Sequence, residues 1–287
     1  MLAILKRELK TYFLTPVGYI FMGFFLLISG FFFAFGNLFQ GNPSYNSMLG
    51  TITFVFMILV PILTMRLLAE ETRQKTDQLL LTSPLRVTQI VLGKYLAAVA
   101  VFLLTVAVTF VYPIILSFYG SIAIAEIIGG YIGFLLLGAS FIAVGLFVSS
   151  LTENQVVAAV VTFSMLLFFW IMDGLHQYLP NTTTSGIVFI SLLLCGLVLI
   201  IHRGAKNLFI TVLTGLVSAA GITIGYFVNN FLYDGLILKF IERLSLLKRF
   251  EPFISGNLSL GPVVFFLSFI TFFIFLTIQM IEKRRWN

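Results

Sequence analysis

The chain has 287 residues, of which 60% are hydrophobic and only 10% are charged. A soluble domain carries about 25% charged residues, so this composition cannot cover a water-facing surface and excludes a soluble enzyme. The net charge of +6 does not indicate nucleic-acid binding, because the basic residues lie beside apolar runs, as they do in membrane proteins. Apolar runs without alternation, such as Gly18–Phe35, favour an all-α transmembrane bundle over a barrel.

Residues 1–15 predict a short helix that lies in the membrane interface. Leucine and phenylalanine recur at helical spacing on one side, and Lys6, Arg7 and Lys10 gather on another. Pro16 is expected to end this helix before the first span. From there the apolar runs predict about eight spans, near residues 17–39, 48–68, 91–118, 127–150, 155–172, 187–201, 208–228 and 260–281.

Two connecting segments are too polar to be ordinary spans. Residues 69–90 are predicted to be a cytoplasmic segment, and residues 230–259 an external re-entrant or amphipathic segment. Both termini are placed in the cytoplasm, because most of the 17 Lys and Arg residues then lie on that side. The basic residues of 230–259 are the exception. We expect a single transmembrane domain over residues 1–287.

The sequence offers little chemistry of its own. It has no phosphate-binding glycine loop, and its two histidines, His176 and His202, lie in separate predicted loops. We therefore expect no catalytic residue, no metal site and no cofactor in this chain. The predicted spans contain almost no charged residues, which argues against an ion-coupled carrier. Energy for uphill transport would have to come from a partner. The spacing Gly129-x-x-x-Gly133 could let helices approach closely.

The most informative stretch is Leu68–Ala98, LAEETRQKTDQLLLTSPLRVTQIVLGKYLAA. Its charges are mixed in sign and its apolar residues are clustered, which suits docking to a soluble protein. A solvated loop is the simpler interpretation of the same pattern. A motif of the form E-E-[KR]-x-x-[GT]-x-[DE]-x-L-L-x-[ST]-x-P, followed by a lysine that opens the next span, is matched in the order of its residues though not in every spacing. The eleven residues are Glu70, Glu71, Arg73, Thr76, Asp77, Leu79, Leu80, Thr82, Ser83, Pro84 and Lys94.

This motif resembles that of permease subunits of type-2 ABC exporters, although Thr76 stands where glycine is frequent. The N-terminal helix before a proline-marked span is also similar. The ending RFEPFISGNLSLGPVVFFLSFITFFIFLTIQMIEKRRW resembles gliding-motility-type ABC permeases. The resemblance covers about residues 1–175 and 240–287, and 186–230 adds two spans to the usual six.

The resemblance implies a permease dimer, with a second copy or a paralogue, that works with two separate ATPase subunits. Those subunits would bind ATP and Mg²⁺. Residues 69–90 would then be the coupling segment that docks on the ATPase, through polar contacts and an apolar knob formed by Leu79, Leu80 and Val87. The N-terminal helix would lie at the side of the ATPase, and residues 236–258 would resemble the helices that cap the outer gate. The expected docking residues are Glu70, Glu71, Arg73, Thr76, Asp77, Leu79, Leu80, Ser83, Pro84, Arg86, Val87 and Lys94.

The expected location is the cytoplasmic membrane of a bacterium, and the expected cargo is hydrophobic, lipid-like or peptide. Membrane lipids and an extracytoplasmic accessory protein are further candidate partners. Two alternatives stay open. A membrane enzyme, such as a lipid transferase, would need paired carboxylates or histidines near one membrane face, which the sequence does not supply. An anchoring or assembly protein of a surface complex would tolerate loss of the coupling-segment sequence, whereas a permease would not.

Overall fold

The computed structural model describes residues 1–42, 44–76, 85–120, 123–175, 182–205, 208–228 and 233–286. Within those ranges every regular element is helical, which confirms the all-α prediction. The helices are α1 (Leu2–Leu14), α2 (Pro16–Phe33) with a π-helical extension (Ala34–Leu38), α3 (Tyr45–Thr64), α4 (Ala69–Arg73), α5 (Val87–Thr109), α6 (Val111–Ser117), α7 (Ile124–Leu151), α8 (Gln155–Leu175), α9 (Thr183–Ala205), α10 (Leu208–Val228), α11 (Leu236–Leu244), α12 (Leu246–Ile254) and α13 (Leu260–Trp286).

Six helical stretches in the described part of the chain are long and apolar enough to cross a membrane. They are Pro16–Leu38, Tyr45–Arg73, Val87–Ser117, Ile124–Leu151, Gln155–Gly174 and Leu260–Arg284. Each coincides with a predicted span. Two shorter apolar helices, Thr183–Val198 and Thr211–Ile224, lie where the sixth and seventh spans were predicted. The prediction of a polytopic helical bundle is therefore confirmed.

The first helix boundary follows from a single proline. Thr15 has extended backbone angles, φ −104° and ψ 155°, as expected for a residue that precedes proline. Pro16 then occupies the start of α2, where its missing N–H would have no partner within the helix in any case. The predicted break between the N-terminal helix and the first span is thus confirmed.

Contacts within the chain divide it into two compact units, one formed by Met1–Phe169 with Leu246–Asn287 and the other by Trp170–Ser245. The core of the first unit is rich in phenylalanine. The rings of Phe56 and Phe102 lie 4.5 Å apart, centroid to centroid. Gly138 lets α7 pack closely against α5, because a Cβ at this position would overlap the Phe102 ring. The high phenylalanine content therefore builds part of the core.

The second unit contains the two shorter apolar helices. α9 and α10 pack against each other, and α11 packs on α9. The rings of Phe189 and Phe240 lie 5.3 Å apart between α9 and α11. The Ser245 hydroxyl donates to Asp173 Oδ1 at 2.7 Å, which ties the end of this unit to its start. The single domain over residues 1–287 stays a prediction.

Candidate functional site

The short helix α4 carries the first part of the coupling segment. Five residues are too few to form a stable helix in isolation, so contacts with the rest of the chain must hold it. The Ser149 hydroxyl of α7 accepts hydrogen bonds from the N–H groups of Leu68 and Ala69, both at 3.1 Å. It also donates to the Met65 carbonyl at 3.1 Å. Ser149 thereby satisfies amides that a helix start leaves without a partner.

Lys94 of α5 joins three helices. Its side chain is 1% exposed, and its Nζ donates to Glu8 Oε1 of α1 at 3.0 Å. The same Nζ lies 2.9 Å from Glu71 Oε1 of α4. An ammonium group this deeply buried is costly unless it is paired. The two carboxylates supply that pairing and fix α1 and α4 to the start of α5.

Arg7 completes what we call the charge cluster, which consists of Arg7, Glu8, Glu71 and Lys94. Arg7 Nη2 lies 2.7 Å from both Glu8 Oε1 and Glu71 Oε1. Half of the Arg7 side chain is exposed, whereas Lys94 is enclosed. The cluster contains two cations and two carboxylates, so its formal charges cancel. Such balance is what allows ion pairs to persist away from water.

The surroundings of Glu8 and Arg7 shift the pKa of each group in the direction that favours its charged form. Burial by itself raises the pKa of Glu8, but the charge of Lys94 and the hydrogen bonds from Arg7 and Lys94 outweigh it. The pKa of the Glu8 carboxyl therefore lies below its ordinary value. Burial lowers the pKa of Arg7, but Glu8 and Glu71 outweigh that effect and raise it. Both shifts favour the charged forms.

Two further contacts brace α4. Arg66 forms a bidentate ion pair with Glu70, in which Nε donates to Oε2 at 2.6 Å and Nη2 donates to Oε1 at 3.0 Å. Paired parallel hydrogen bonds of this kind fix geometry as well as charge. Arg284 Nη1 of α13 donates to Thr72 Oγ1 at 3.2 Å. α4 is thus held by side chains from α1, α5, α7 and α13.

The end of α4 is closed by a Schellman motif. The N–H of Thr76 donates to the Glu71 carbonyl at 3.0 Å, and the N–H of Lys75 donates to the Thr72 carbonyl at 3.1 Å. Lys75 is left-handed, with φ 57°. Glycine usually takes this position, because a Cβ is disfavoured there. The structure therefore places the glycine-like backbone at Lys75, next to the Thr76 that the sequence singled out.

The opposite end of the bundle is held by the buried Asn46. Its Nδ2 donates to the carbonyls of Glu126 at 2.7 Å and Ile254 at 2.8 Å, which joins α3, α7 and α12. Phe253 of α12 packs on Gly133, where a Cβ would overlap the ring. Gly133, the second glycine of Gly129-x-x-x-Gly133, thus allows α7 and α12 to approach closely within this chain.

Comparison with known families decides the class of this protein. A family profile described as an ABC-2 family transporter protein matches residues 37–194, which is more than half of the chain. The chain belongs to the ABC-2 family of transporter proteins. It is therefore the membrane component of an ABC transporter, a permease, which confirms the coarse function that the sequence predicts. No curated protein matches the chain in a sequence search.

The matched range of this ABC-2 permease includes α4, Lys94 and Ser149, but not Glu8. Among the described residues, no group of three His, Cys, Asp or Glu side chains could hold a metal ion. The bonding described above is structural, and none of it assembles a nucleophile with a base. The contacts make the site a junction at which side chains of α1, α5, α7 and α13 hold α4.

The predicted docking residues fall into four sets. Glu70, Glu71, Val87 and Lys94 are engaged or buried within the chain, Thr76 is half-buried, and Arg73 and Arg86 are exposed. The others, Asp77, Leu79, Leu80, Ser83 and Pro84, lie outside the described residues. Burial of Lys94 and Val87 means that any influence they have on an ATPase passes through their neighbours. Direct contact between the other docking residues and an ATPase stays a prediction.

The structure adds three residues that the sequence did not single out for this site, namely Glu8, Arg66 and Ser149. Glu8 is the lone acid in a basic helix, and it falls on the same face as Ile4 and Tyr12, all of which are buried. That helical spacing is the signal that could have marked it. Lys6 and Lys10 are exposed on α1, and the position of this helix in the membrane interface stays a prediction. Ser149 carries no comparable signal, because its partners are backbone groups about 80 residues away.

Proposed function

We propose that this ABC-2 permease is one half of an ATP-driven exporter whose ATPase is a separate chain that binds ATP and Mg²⁺. The observation that carries the proposal is the bracing of α4. A five-residue helix is fixed by four others immediately before the stretch that carries Leu79 and Leu80 of the proposed apolar knob. A rigid base of this kind would pass force from a docked ATPase into the spans.

The proposed mechanism is a two-state equilibrium of a permease dimer. A ligand shifts such an equilibrium only by its different affinity for the two states. ATP would supply that difference by drawing two ATPase subunits together, and each would move the coupling segment docked on it. The contacts of Ser149 with residues before α4 and of Gly133 with Phe253 connect α7 to both ends of the bundle. We propose that α7 transmits the movement of the coupling segment to the opposite end of the bundle.

The remaining parts of the proposal concern orientation and cargo. Both termini would be cytoplasmic, in the cytoplasmic membrane of a bacterium, since this places most Lys and Arg residues inside. The transport direction would be export. The apolar, aromatic spans favour a hydrophobic, lipid-like or peptide cargo that passes along the dimer seam. Membership of the gliding-motility-type subgroup stays a prediction.

Co-purification tests the proposal. The chain is expressed with the ATPase encoded beside it, as wild type and as a Leu79→Asp/Leu80→Asp variant that places charge on the proposed knob. Leu258→Asp serves as control, because Leu258 is exposed at the opposite end of the bundle. We expect the wild type and the control to retain the ATPase and the knob variant to lose it. A well-folded wild type that retains no ATPase would favour an anchoring role for the chain.

A further inference from the structure

The charges of the coupling segment are divided between the interior of the chain and its surface. Both described carboxylates are engaged within the chain, Glu70 with Arg66, and Glu71 with Arg7 and Lys94. To contact a cationic partner surface directly, either carboxylate would have to give up contacts that hold α4. The carboxylates of the motif therefore serve the fold of this chain first.

The basic residues of the segment, in contrast to its carboxylates, lie at the surface. Arg73 at the end of α4, Lys75 after it and Arg86 before α5 are all exposed. They flank residues 77–84 on both sides. Around the stretch that is proposed to enter the ATPase, the described surface thus presents positive charge. Asp77 belongs to that stretch and lies outside the described residues.

Two kinds of partner could receive such charge, namely anionic lipid headgroups or an acidic protein surface. Attraction to headgroups is diffuse and requires no fixed arrangement of the cations. Here Arg73 belongs to a helix that is fixed by Ser149, by the charge cluster and by Arg284. Fixed charges give specificity against a partner whose charges are also fixed. The arrangement favours a protein surface.

We infer that the ATPase surface that receives the coupling segment is acidic, with carboxylates opposite Arg73, Lys75 and Arg86. Glu70 and Glu71 are positioning residues, which hold α4 so that Arg73 at its end and the adjoining Lys75 face the partner. This inference rests on the proposed function, because it requires an ATPase to dock on this segment. It differs from the expectation that Glu70 and Glu71 are themselves docking contacts.

Binding in a neutral membrane tests the inference. The full chain is placed in nanodiscs of phosphatidylcholine, and the Kd of the ATPase encoded beside it is measured for wild type and for Arg73→Glu/Arg86→Glu. The matched control is Arg203→Glu/Arg243→Glu, which reverses two exposed arginines elsewhere in the chain. We expect reversal at 73 and 86 to weaken binding about 100-fold at low salt, because like charges then face each other. The control should stay within about twofold.

Two milder variants separate contact from positioning. Raising the salt from about 50 mM to about 300 mM should weaken wild-type binding by screening. Arg73→Gln/Arg86→Gln should weaken binding and flatten this salt dependence, because two of the three contacting charges are gone. Glu71→Gln should weaken binding with the salt dependence retained, because the cations remain. A Glu71→Gln variant with a flattened salt dependence would overturn the positioning role.

The failures of the two proposals can be told apart. No wild-type binding at all would count against the proposed function. Wild-type binding that Arg73→Glu/Arg86→Glu leaves at the level of the control would overturn the acidic-surface inference alone. A loss that appears only in nanodiscs with phosphatidylglycerol would also overturn it, because lipid headgroups would then account for the charge. Each variant is first required to elute as a single species in gel filtration.

Discussion

The Lys94 ammonium lies 2.9 Å from the Glu71 carboxylate and 3.0 Å from that of Glu8, with almost none of its side chain exposed. One side chain thereby ties the N-terminal helix, the short helix of the coupling segment and the start of the third span together. Glu71 and Lys94 both belong to the family-like motif, and Glu8 does not. The motif therefore contributes to a structural junction in addition to any docking role.

Lys94→Met tests how much this junction stabilises the chain. The change leaves Glu8 and Glu71 facing each other with only the half-exposed Arg7 to balance them. Removal of one partner of a buried ion pair costs about 3 kcal/mol. We expect a clear fall in the thermal unfolding temperature of the purified chain in detergent. Lys10→Met, which alters an exposed position of α1, is the control. Equal stability of the two variants would contradict the account.

The lowered pKa of Glu8 predicts a pH dependence. A carboxyl whose pKa is lower in the folded chain adds stability that is fully present above its ordinary value of 4.5. That stability is lost as the pH falls through the folded value. The difference in unfolding free energy between wild type and Glu8→Gln should therefore be greatest near neutral pH and shrink in acid. A difference that grows on acidification would show that the cause has been misassigned.

Lys75→Gly should stabilise the end of α4. Lys75 is left-handed, and a side chain in that conformation costs about 1 kcal/mol relative to glycine. Hydrogen exchange of the Lys75 and Thr76 amides, which close the Schellman motif, should slow about fivefold. Gln74→Gly is the control, because Gln74 is right-handed and gains nothing from glycine. Faster exchange in Lys75→Gly would refute the assignment of strain.

Ser149→Ala should loosen the start of α4. The change leaves the buried amides of Leu68 and Ala69 without their acceptor, which costs about 1–3 kcal/mol. Exchange of these amides should accelerate, and Ser149→Thr should restore protection because it keeps the hydroxyl. Ser150→Ala is the matched control, since the Ser150 hydroxyl donates to Phe147 of its own helix. Equal effects of the two alanine variants on amide exchange would show that the Ser149 hydroxyl does not stabilise the start of α4.

The spans were predictable because their signal is local. The run predicted as 155–172 appears as Gln155–Gly174, and the break at Pro16 falls where proline chemistry demands it. Hydropathy alone carries this information, since lipid forces every backbone polar group into helical bonding.

The junction at α4 was only half predictable. The motif marked Glu71 and Lys94, but nothing in the sequence showed that they meet, because 23 positions and a change of helix separate them. Glu8 lies 86 positions from Lys94. Ser149 acts through backbone groups, which leave no mark in sequence. Pairings of this kind depend on how helices pack, so the sequence suggested surface contacts where the structure shows internal ones for Glu71 and Lys94.

Cross-linking from the coupling segment tests the central claim, that this part of the permease docks on an ATPase, most directly. The single cysteine, Cys195, is exposed and is first changed to serine. A cysteine is then placed at Ser83 or, as control, at the exposed Leu258 of the opposite end, and a photoactivatable thiol reagent is attached. The account predicts that Ser83→Cys cross-links to the co-expressed ATPase and Leu258→Cys does not. A cross-link from Leu258→Cys alone would contradict it.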